Sequence, residues 1–142
     1  MDKLDEVIFY TIDRAIKTYR QYAQGQLKKA GYSITIDQWL VIKNLLEIPD
    51  ISQQELGQRV FKDNASVTRI IALLVKKQYL KKINHKTDGR RSTIEVTGKG
   101  KKVIDEIWVI VQRNRKTALQ NITEKEIGQV RRTLTAIINN CK

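Results

Sequence analysis

Apolar residues recur at spacings of three and four along most of the chain, the period of a helix with one buried face. Leu4, Val7, Ile8, Ile12, Ala15, Ile16, Tyr19, Ala23 and Leu27 predict a long first helix over residues 4–30, stopped at Gly31. Its stripe is narrow for its length, so it packs against more than a small local core, and a partner subunit is one candidate. Thr35-Ile36-Asp37-Gln38 is a capping box that opens a second helix through Trp39, Val41, Ile42, Leu45 and Leu46, with Pro49 as its stop. Ser52-Gln53-Gln54-Glu55 repeats the device and opens a short third helix to about Val60. Phe61-Lys62-Asp63 makes a turn, with Asp63 or Asn64 capping a fourth helix that runs to about Leu80. Val67, Ile70, Ile71, Leu74 and Val75 form its buried stripe, and Ala65, Thr68, Arg69, Ala72 and Lys76 stand opposite.

Two helices joined by so short a turn, the second with a small, polar and cationic outer face, make a helix-turn-helix. That face suits a DNA major groove, where phosphates and base edges lie within reach of side chains. After Leu80 the period changes from helical to alternating. Ile94 and Val96 face inward on one strand, and Ile83 is the apolar partner expected on the other. Between the strands, Lys86-Thr87-Asp88-Gly89-Arg90-Arg91 carries three cations, one aspartate and an Asp-Gly turn signal. A hairpin tip of this kind can place arginine in a narrow minor groove. Thr97 caps a fifth helix with the stripe Val103, Ile104, Ile107, Trp108, Ile110 and Val111. The capping box Thr123-Glu124-Lys125-Glu126 opens a sixth, through Ile127, Val130, Leu134, Ile137 and Ile138.

Charge sharpens this picture. The 142-residue chain has a formal net charge of +12, and the stretch from Arg59 to Lys102 holds thirteen Lys/Arg against Asp63, Asp88 and Glu95, a net +10. A charge run is most often a solvated face, but concentration on the helix-turn-helix and hairpin points to a polyanion. Nothing reads as a membrane span, and the first residues do not read as a signal peptide, so a cytoplasmic location is expected. The single cysteine, Cys141, excludes an internal disulfide. His85 is the only histidine and has no companions at metal-ligand spacing, so no metal or other cofactor is expected. No nucleophile–base pair or phosphate-cradling glycine loop appears, which argues against an enzyme.

Asp88-Gly89-Arg90 is followed at fixed distance by Val96-Thr97 and Gly100, and Ser66-Val67-Thr68-Arg69 lies on the fourth helix after Leu56 and Val60 on the third. In this combination the chain resembles the MarR family (multiple antibiotic resistance regulators) along nearly its whole length. Asp88-Gly89-Arg90 matches the family's Asp-x-Arg wing signature, with Val96 in place of the usual leucine before Thr97. The family commonly has glycine before the first wing strand, giving a helix stop, where this chain has Gln78-Tyr79; glutamine can adopt the left-handed turn of such a stop only at a cost of about 1 kcal/mol. The resemblance implies an obligate homodimer held by the first, fifth and sixth helices and binding a near-palindromic operator, often near its own promoter. It implies release of DNA when a phenolic or anionic compound binds between the dimer region and the DNA-binding lobe. It also implies that Arg90 enters the minor groove with Asp88 orienting it, and that Thr68 and Arg69 sit on the reading helix.

The expected fold is therefore mainly α: a winged helix-turn-helix over residues 35–100 with a two-stranded β-hairpin wing, and long N- and C-terminal helices over 1–34 and 101–142 forming a dimerisation region. Candidate DNA contacts are Gln53, Gln54, Asn64, Ala65, Ser66, Thr68, Arg69, Lys86, Asp88, Arg90 and Arg91. Asn64 and Ser66 are either base contacts or capping groups, and Gln53 and Gln54 are candidate phosphate donors. Tyr19, Tyr22, Trp39 and Trp108 are candidate walls of an effector site, although aromatics at helical spacing are more often core. The expected function is sequence-specific regulation of transcription, as a repressor on double-stranded DNA, with release by a small aromatic or anionic effector. The alternatives are a winged-helix module that binds nucleic acid without sequence preference and a protein-interaction domain of the same fold.

Overall fold

A computed structural model describes residues 1–84 and 92–142. Six helices and one hairpin follow in order: α1 (Ile8–Lys29), α2 (Ile36–Glu47), α3 (Gln53–Val60), α4 (Asn64–Lys76), β1 (Leu80–Asn84), β2 (Ser92–Val96), α5 (Gly98–Ala118) and α6 (Glu124–Asn140). This is the expected mainly α architecture with a two-stranded antiparallel sheet.

The helix starts follow local chemistry. Thr35 and Thr123 close full capping boxes with Gln38 and Glu126. Ser52, Asp63 and Thr97 each accept a backbone N–H three residues on. The choice between Asp63 and Asn64 thus falls to Asp63. Its carboxyl is held below the usual carboxylate range by hydrogen bonding from the Ser66 backbone and then its side chain, with smaller pulls from Arg69 and Lys62.

Helix ends depart more from expectation. α1 begins at Ile8, because residues 4–6 form a 3-10 turn and Val7 is extended. It stops as expected at Gly31, which has a φ of 89°. α4 ends at Lys76, about a turn earlier than its apolar spacing suggests. Gln78 takes the left-handed conformation at φ 66°, its N–H donates to the Val75 carbonyl, and the Tyr79 N–H donates to the Leu74 carbonyl. That double bond pattern terminates a helix whatever residue adopts it. Leu80 is thereby released from the helix to start β1, buried at 2% exposure and paired opposite Val96. The register sets Ile83 opposite Thr93, on the other face from Ile94 and Val96, so Leu80 rather than Ile83 is the inward apolar partner.

One apolar core joins these elements. Leu27 from α1, Ile34, Val41, Ile42 and Leu45 from α2, Leu56 and Val60 from α3, Val67, Ile71 and Leu74 from α4, Leu80 from β1, and Val103, Ile104, Ile107 and Ile110 from α5 are all buried. Burying a side chain of this size stabilises by about 1.5–3 kcal/mol. Polar clips fix the helix pairs around it. Gln24 of α1 donates to the Ile34 carbonyl and accepts from the Ile36 N–H. Arg59 of α3 donates to Asn44 of α2 and lies 3.5 Å from Glu47. Asp37 of α2 receives Arg20 of α1 on one oxygen and Lys62, in the α3–α4 turn, on the other at 3.3 Å.

The joint between α4, the hairpin and α5 is the tightest place in the chain. Thr97 accepts from the Gly100 N–H, its hydroxyl donates to the Gln78 carbonyl at 2.6 Å, and its own N–H donates to the Tyr79 carbonyl. Lys99 adds a bond to the Lys77 carbonyl and lies over the Tyr79 ring. A Cβ on Gly100 would stand 2.3 Å from the Tyr79 carbonyl oxygen and 2.8 Å from Val96 Cγ1.

The outer helices are different. α6 has no buried residue, and Val130 and Ile138 of its stripe are exposed. Ile8, Phe9 and Ile16 on the first half of α1 are exposed as well. No helix among the described residues is long and apolar enough to cross a membrane.

Two outcomes follow, both at fixed protein concentration because association shifts apparent stability. Gly100→Ala lowers stability by about 1–3 kcal/mol in denaturant melts. Gly25→Ala, whose Cβ meets nothing within 4 Å in the last third of α1, raises it by about 0.5–1 kcal/mol; equal midpoints for the two variants would contradict the packing described at the joint. The depressed Asp63 carboxyl makes its cap fully effective above the unfolded carboxylate pKa, about 3.9, and weakens it as pH falls through the lower folded value. The protection of the Ser66 amide, its exchange rate taken relative to that of the unfolded chain at the same pH, therefore falls on acidification in the native chain and changes less in Asp63→Asn.

Candidate nucleic-acid interface

α4 turns Val67, Ile71 and Leu74 into the core and leaves Ala65, Thr68, Arg69, Ala72 and Lys76 exposed. The reading-helix phase is thus as its sequence predicts. Asn64 and Ser66 lie in its first turn beside the Asp63 cap, with Asn64 exposed and Ser66 half-buried. Arg69 donates to Ser66 Oγ at 3.1 Å, which holds the guanidinium along the helix surface.

Gln53 at the start of α3 crosses to α4. Its Nε2 donates to Asn64 Oδ1 at 2.8 Å and to Thr68 Oγ1 at 2.7 Å, and the Thr68 hydroxyl donates to the Asn64 carbonyl at 2.9 Å. Gln53, Asn64 and Thr68 are therefore one hydrogen-bonded group, a relation that no spacing rule along the sequence reveals. Gln54 is exposed and lines, with Gln53, Gln58, Phe61 and Asn64, an open groove between α3 and α4. Phe61 is 85% exposed and takes a left-handed φ of 61° in the turn. Its aromatic exposure beside the reading helix carried no signal in the apolar pattern, because the turn residue belongs to neither stripe.

The wing candidates Lys86, Asp88, Arg90 and Arg91, and His85 with them, lie outside the described residues. The strands that carry them are described to the pair Asn84–Ser92, with Lys81 and Lys82 exposed on β1. Among the described residues no group of His, Cys, Asp and Glu could hold a metal ion.

The four effector candidates do not form one site, although Tyr19 also borders the depression at Tyr22 and Trp39 the groove at Trp108. Tyr19 and Trp39 line one cavity of about 170 Å³ between α1, α2 and α5, with Arg20, Leu27, Asn114 and Arg115. A volume near 150 Å³ accepts one benzene-sized ring. Tyr22 borders a shallower depression between α1 and the end of α5. Trp108 lies in a groove with Phe61 and Arg59, under the Arg115 guanidinium at 5.5 Å. Among the described residues, Trp39 Nε1 and Asn114 Oδ1 are the buried side-chain polar atoms without a hydrogen-bond partner. A buried group left unpaired costs about 1–3 kcal/mol, and both residues line this cavity, the two atoms themselves being closed to solvent. Sequence reasoning missed Asn114; an amide in the stripe Ile107, Ile110, Val111, Asn114 was the available signal.

Residues 24–107 match the family model described as Transcriptional regulator SarA/Rot, more than half of the chain. The HTH-type transcriptional regulator SarZ of Staphylococcus haemolyticus (strain JCSC1435) is 31% identical over 94 residues, covering 66% of this chain and 60% of that relative's length. The chain superposes on a MarR/EmrR family transcriptional regulator from Acinetobacter sp. ADP1 with a TM-score of 0.86 at 21% identity, covering 99% of this chain and 98% of the other. With MepR of S. aureus, solved as a complex with DNA, the TM-score is 0.82 at 18% identity, over 97% of this chain and 99% of MepR. At these identities the two structural likenesses concern the fold, and they agree with the MarR-like wing signature. The family's description and the names of these relatives are those of transcriptional regulators, not enzymes. By its helix-turn-helix, its hairpin and the family match across them, the chain belongs to the SarA/Rot family of transcriptional regulators, built on the MarR-type winged helix.

Proposed function

We propose that the protein is a sequence-specific DNA-binding repressor that acts as a homodimer on a near-palindromic operator and leaves it when a small aromatic anion binds. The observation that carries this reading is the split character of α4: one face is sealed into the core, and the other is exposed, polar and cationic, and ordered by hydrogen bonds from α3. Thr68, Arg69, Asn64, Ser66 and Ala65 enter the major groove. Arg90, oriented by Asp88, enters the minor groove, with Lys86, Arg91 and Gln54 near phosphate. The exposed apolar stripe of α6 and the outer face of α1 support the pairing, since a second copy is the simplest cover for two unburied helices of one chain. Residues 1–34 and 101–142 then form the dimer region and 35–100 the reading lobe.

The cavity between α1, α2 and α5 supports release by an effector. An aromatic ring set against Tyr19 and Trp39 carries its carboxylate to Arg20 or Arg115, and Trp39 Nε1 and Asn114 Oδ1, shut off from the cavity, meet the ligand's polar groups when their side chains turn. Such a ligand would satisfy both buried orphan groups at once.

The test is titration of the duplex immediately upstream of the protein's own gene against a scrambled duplex at two salt concentrations. A preference that survives the higher salt, two chains per duplex, and a loss of about 1–3 kcal/mol for Arg69→Ala or Arg90→Ala with dimer size unchanged are expected. Equal, strongly salt-dependent affinity for both duplexes would favour the module without sequence preference. Failure to bind any nucleic acid would leave the protein-interaction reading. For the cavity, 4-hydroxybenzoate is expected to quench tryptophan fluorescence and weaken operator binding in the native protein. Asn114→Leu removes the orphan oxygen and is expected to lose that response while melting no lower.

A further inference from the structure

The hydrogen bonds between α3 and α4 have a direction, and chemistry fixes it. A backbone carbonyl only accepts, so at 2.9 Å the Thr68 hydroxyl must give its single hydrogen to the Asn64 carbonyl. Having none left, Thr68 Oγ1 can only accept from Gln53, which therefore turns its amide NH₂ towards α4. The same Nε2 lies 2.8 Å from the Asn64 side chain, so the Asn64 atom facing it must be an acceptor, Oδ1. Each partner's choice follows from the one before, and the chain of reasoning ends at a carbonyl that cannot change sign. Asn64 is left with its Nδ2 hydrogens pointing away from α3.

We propose that Gln53 sets the hydrogen-bond polarity of the reading face, so that Asn64 offers the groove a donor and selects guanine or thymine at the base it meets. The inference rests on the proposed DNA-binding reading and names the class of base edge that one position takes. In the major groove, guanine presents the acceptors N7 and O6 and thymine presents O4, whereas cytosine presents an N4 donor. Adenine is read by an asparagine that turns both oxygen and nitrogen to its edge, and Asn64 has its oxygen turned to α3. Gln53 is thus a positioning residue: it acts on base choice through Asn64, and both of its amide hydrogens are engaged within the protein rather than on a phosphate. Arg69, held by Ser66, is a cation and a donor too, so this side of α4 presents donors throughout.

Selection of bound duplexes from a randomised pool tests this with the full-length protein. The Asn64→Ala variant first identifies the position in each half-site where base preference is lost. At that position the native protein is expected to enrich guanine or thymine over adenine and cytosine by about fivefold or more, the lower end of what a good base contact supplies. Gln53→Glu replaces the donor with an acceptor of the same length. Asn64 Nδ2 then donates to it, the Thr68 hydroxyl leaves the Asn64 carbonyl to do the same, Asn64 Oδ1 turns outward, and enrichment is expected to move to adenine or cytosine. Selection compares sequences within one protein, so the uniform penalty of the added negative charge cancels. Gln53→Leu, which imposes no polarity, is expected to broaden the preference, and circular dichroism melts of the variants establish that they fold. Adenine or cytosine enriched by the native protein, or an unchanged preference in folded Gln53→Glu and Gln53→Leu, would overturn the proposal while leaving sequence-specific binding intact. A native protein that enriches no sequence would instead overturn the sequence-specific reading, and this inference with it.

Discussion

The arrangement of the whole chain hangs on the contact between Gly100 and the Tyr79 carbonyl. There the end of α4, the returning strand and the start of α5 come together with no room for a side chain. Thr97 serves two helices at once, capping α5 through its oxygen and closing α4 through its hydrogen. Because α5 is the longest element leading out of the reading lobe, its direction is set by these few atoms. A motif of threonine followed three residues later by glycine is thus a steric requirement of the joint and needs no role in binding.

Around that joint the molecule divides by how its apolar surface is used. One core, from Leu27 to Ile110, buries its stripes within the chain and draws its rigidity from them. α6 and the outer half of α1 bury almost nothing within the chain, although their residues are as periodic as those of α2 or α4. Periodicity therefore reports that a face will be covered, without saying by what. The cavity bordered by Tyr19, Trp39 and Asn114 lies where the two regimes meet, between α1, α2 and α5.

Much of this was legible in the sequence, for reasons that differ by element. The caps at Thr35, Ser52, Thr97 and Thr123 were readable because an N-cap is settled by side chains within four residues. The buried and exposed faces of α4 were readable because phase along a helix is fixed by its period. The end of α4 was not, since the family likeness marked Gln78 as the usual place of a glycine stop but a glutamine has no left-handed preference of its own. That one misreading carried Leu80 into the helix and made Ile83 the inward strand residue, because a boundary error shifts every alternation that follows it. Asn114, Arg20 and the role of Gln53 depend on side chains that meet across elements. No local pattern encodes them.

Asp37 has a mechanical consequence. One carboxylate oxygen holds Arg20 of α1 and the other holds Lys62 in the α3–α4 turn, so a single half-exposed side chain pins the long outer helix to the reading motif. A pin of this kind resists sliding of one element past the other but tolerates rotation about itself. Partly exposed ion pairs are soft, and dissolved ions soften them further. The stiffness of the lobe's mounting on α1 is therefore a property of the surrounding electrolyte as well as of the protein. Salt thus weakens this one clip, while Leu27 and the Gln24 hydrogen bonds keep α1 seated.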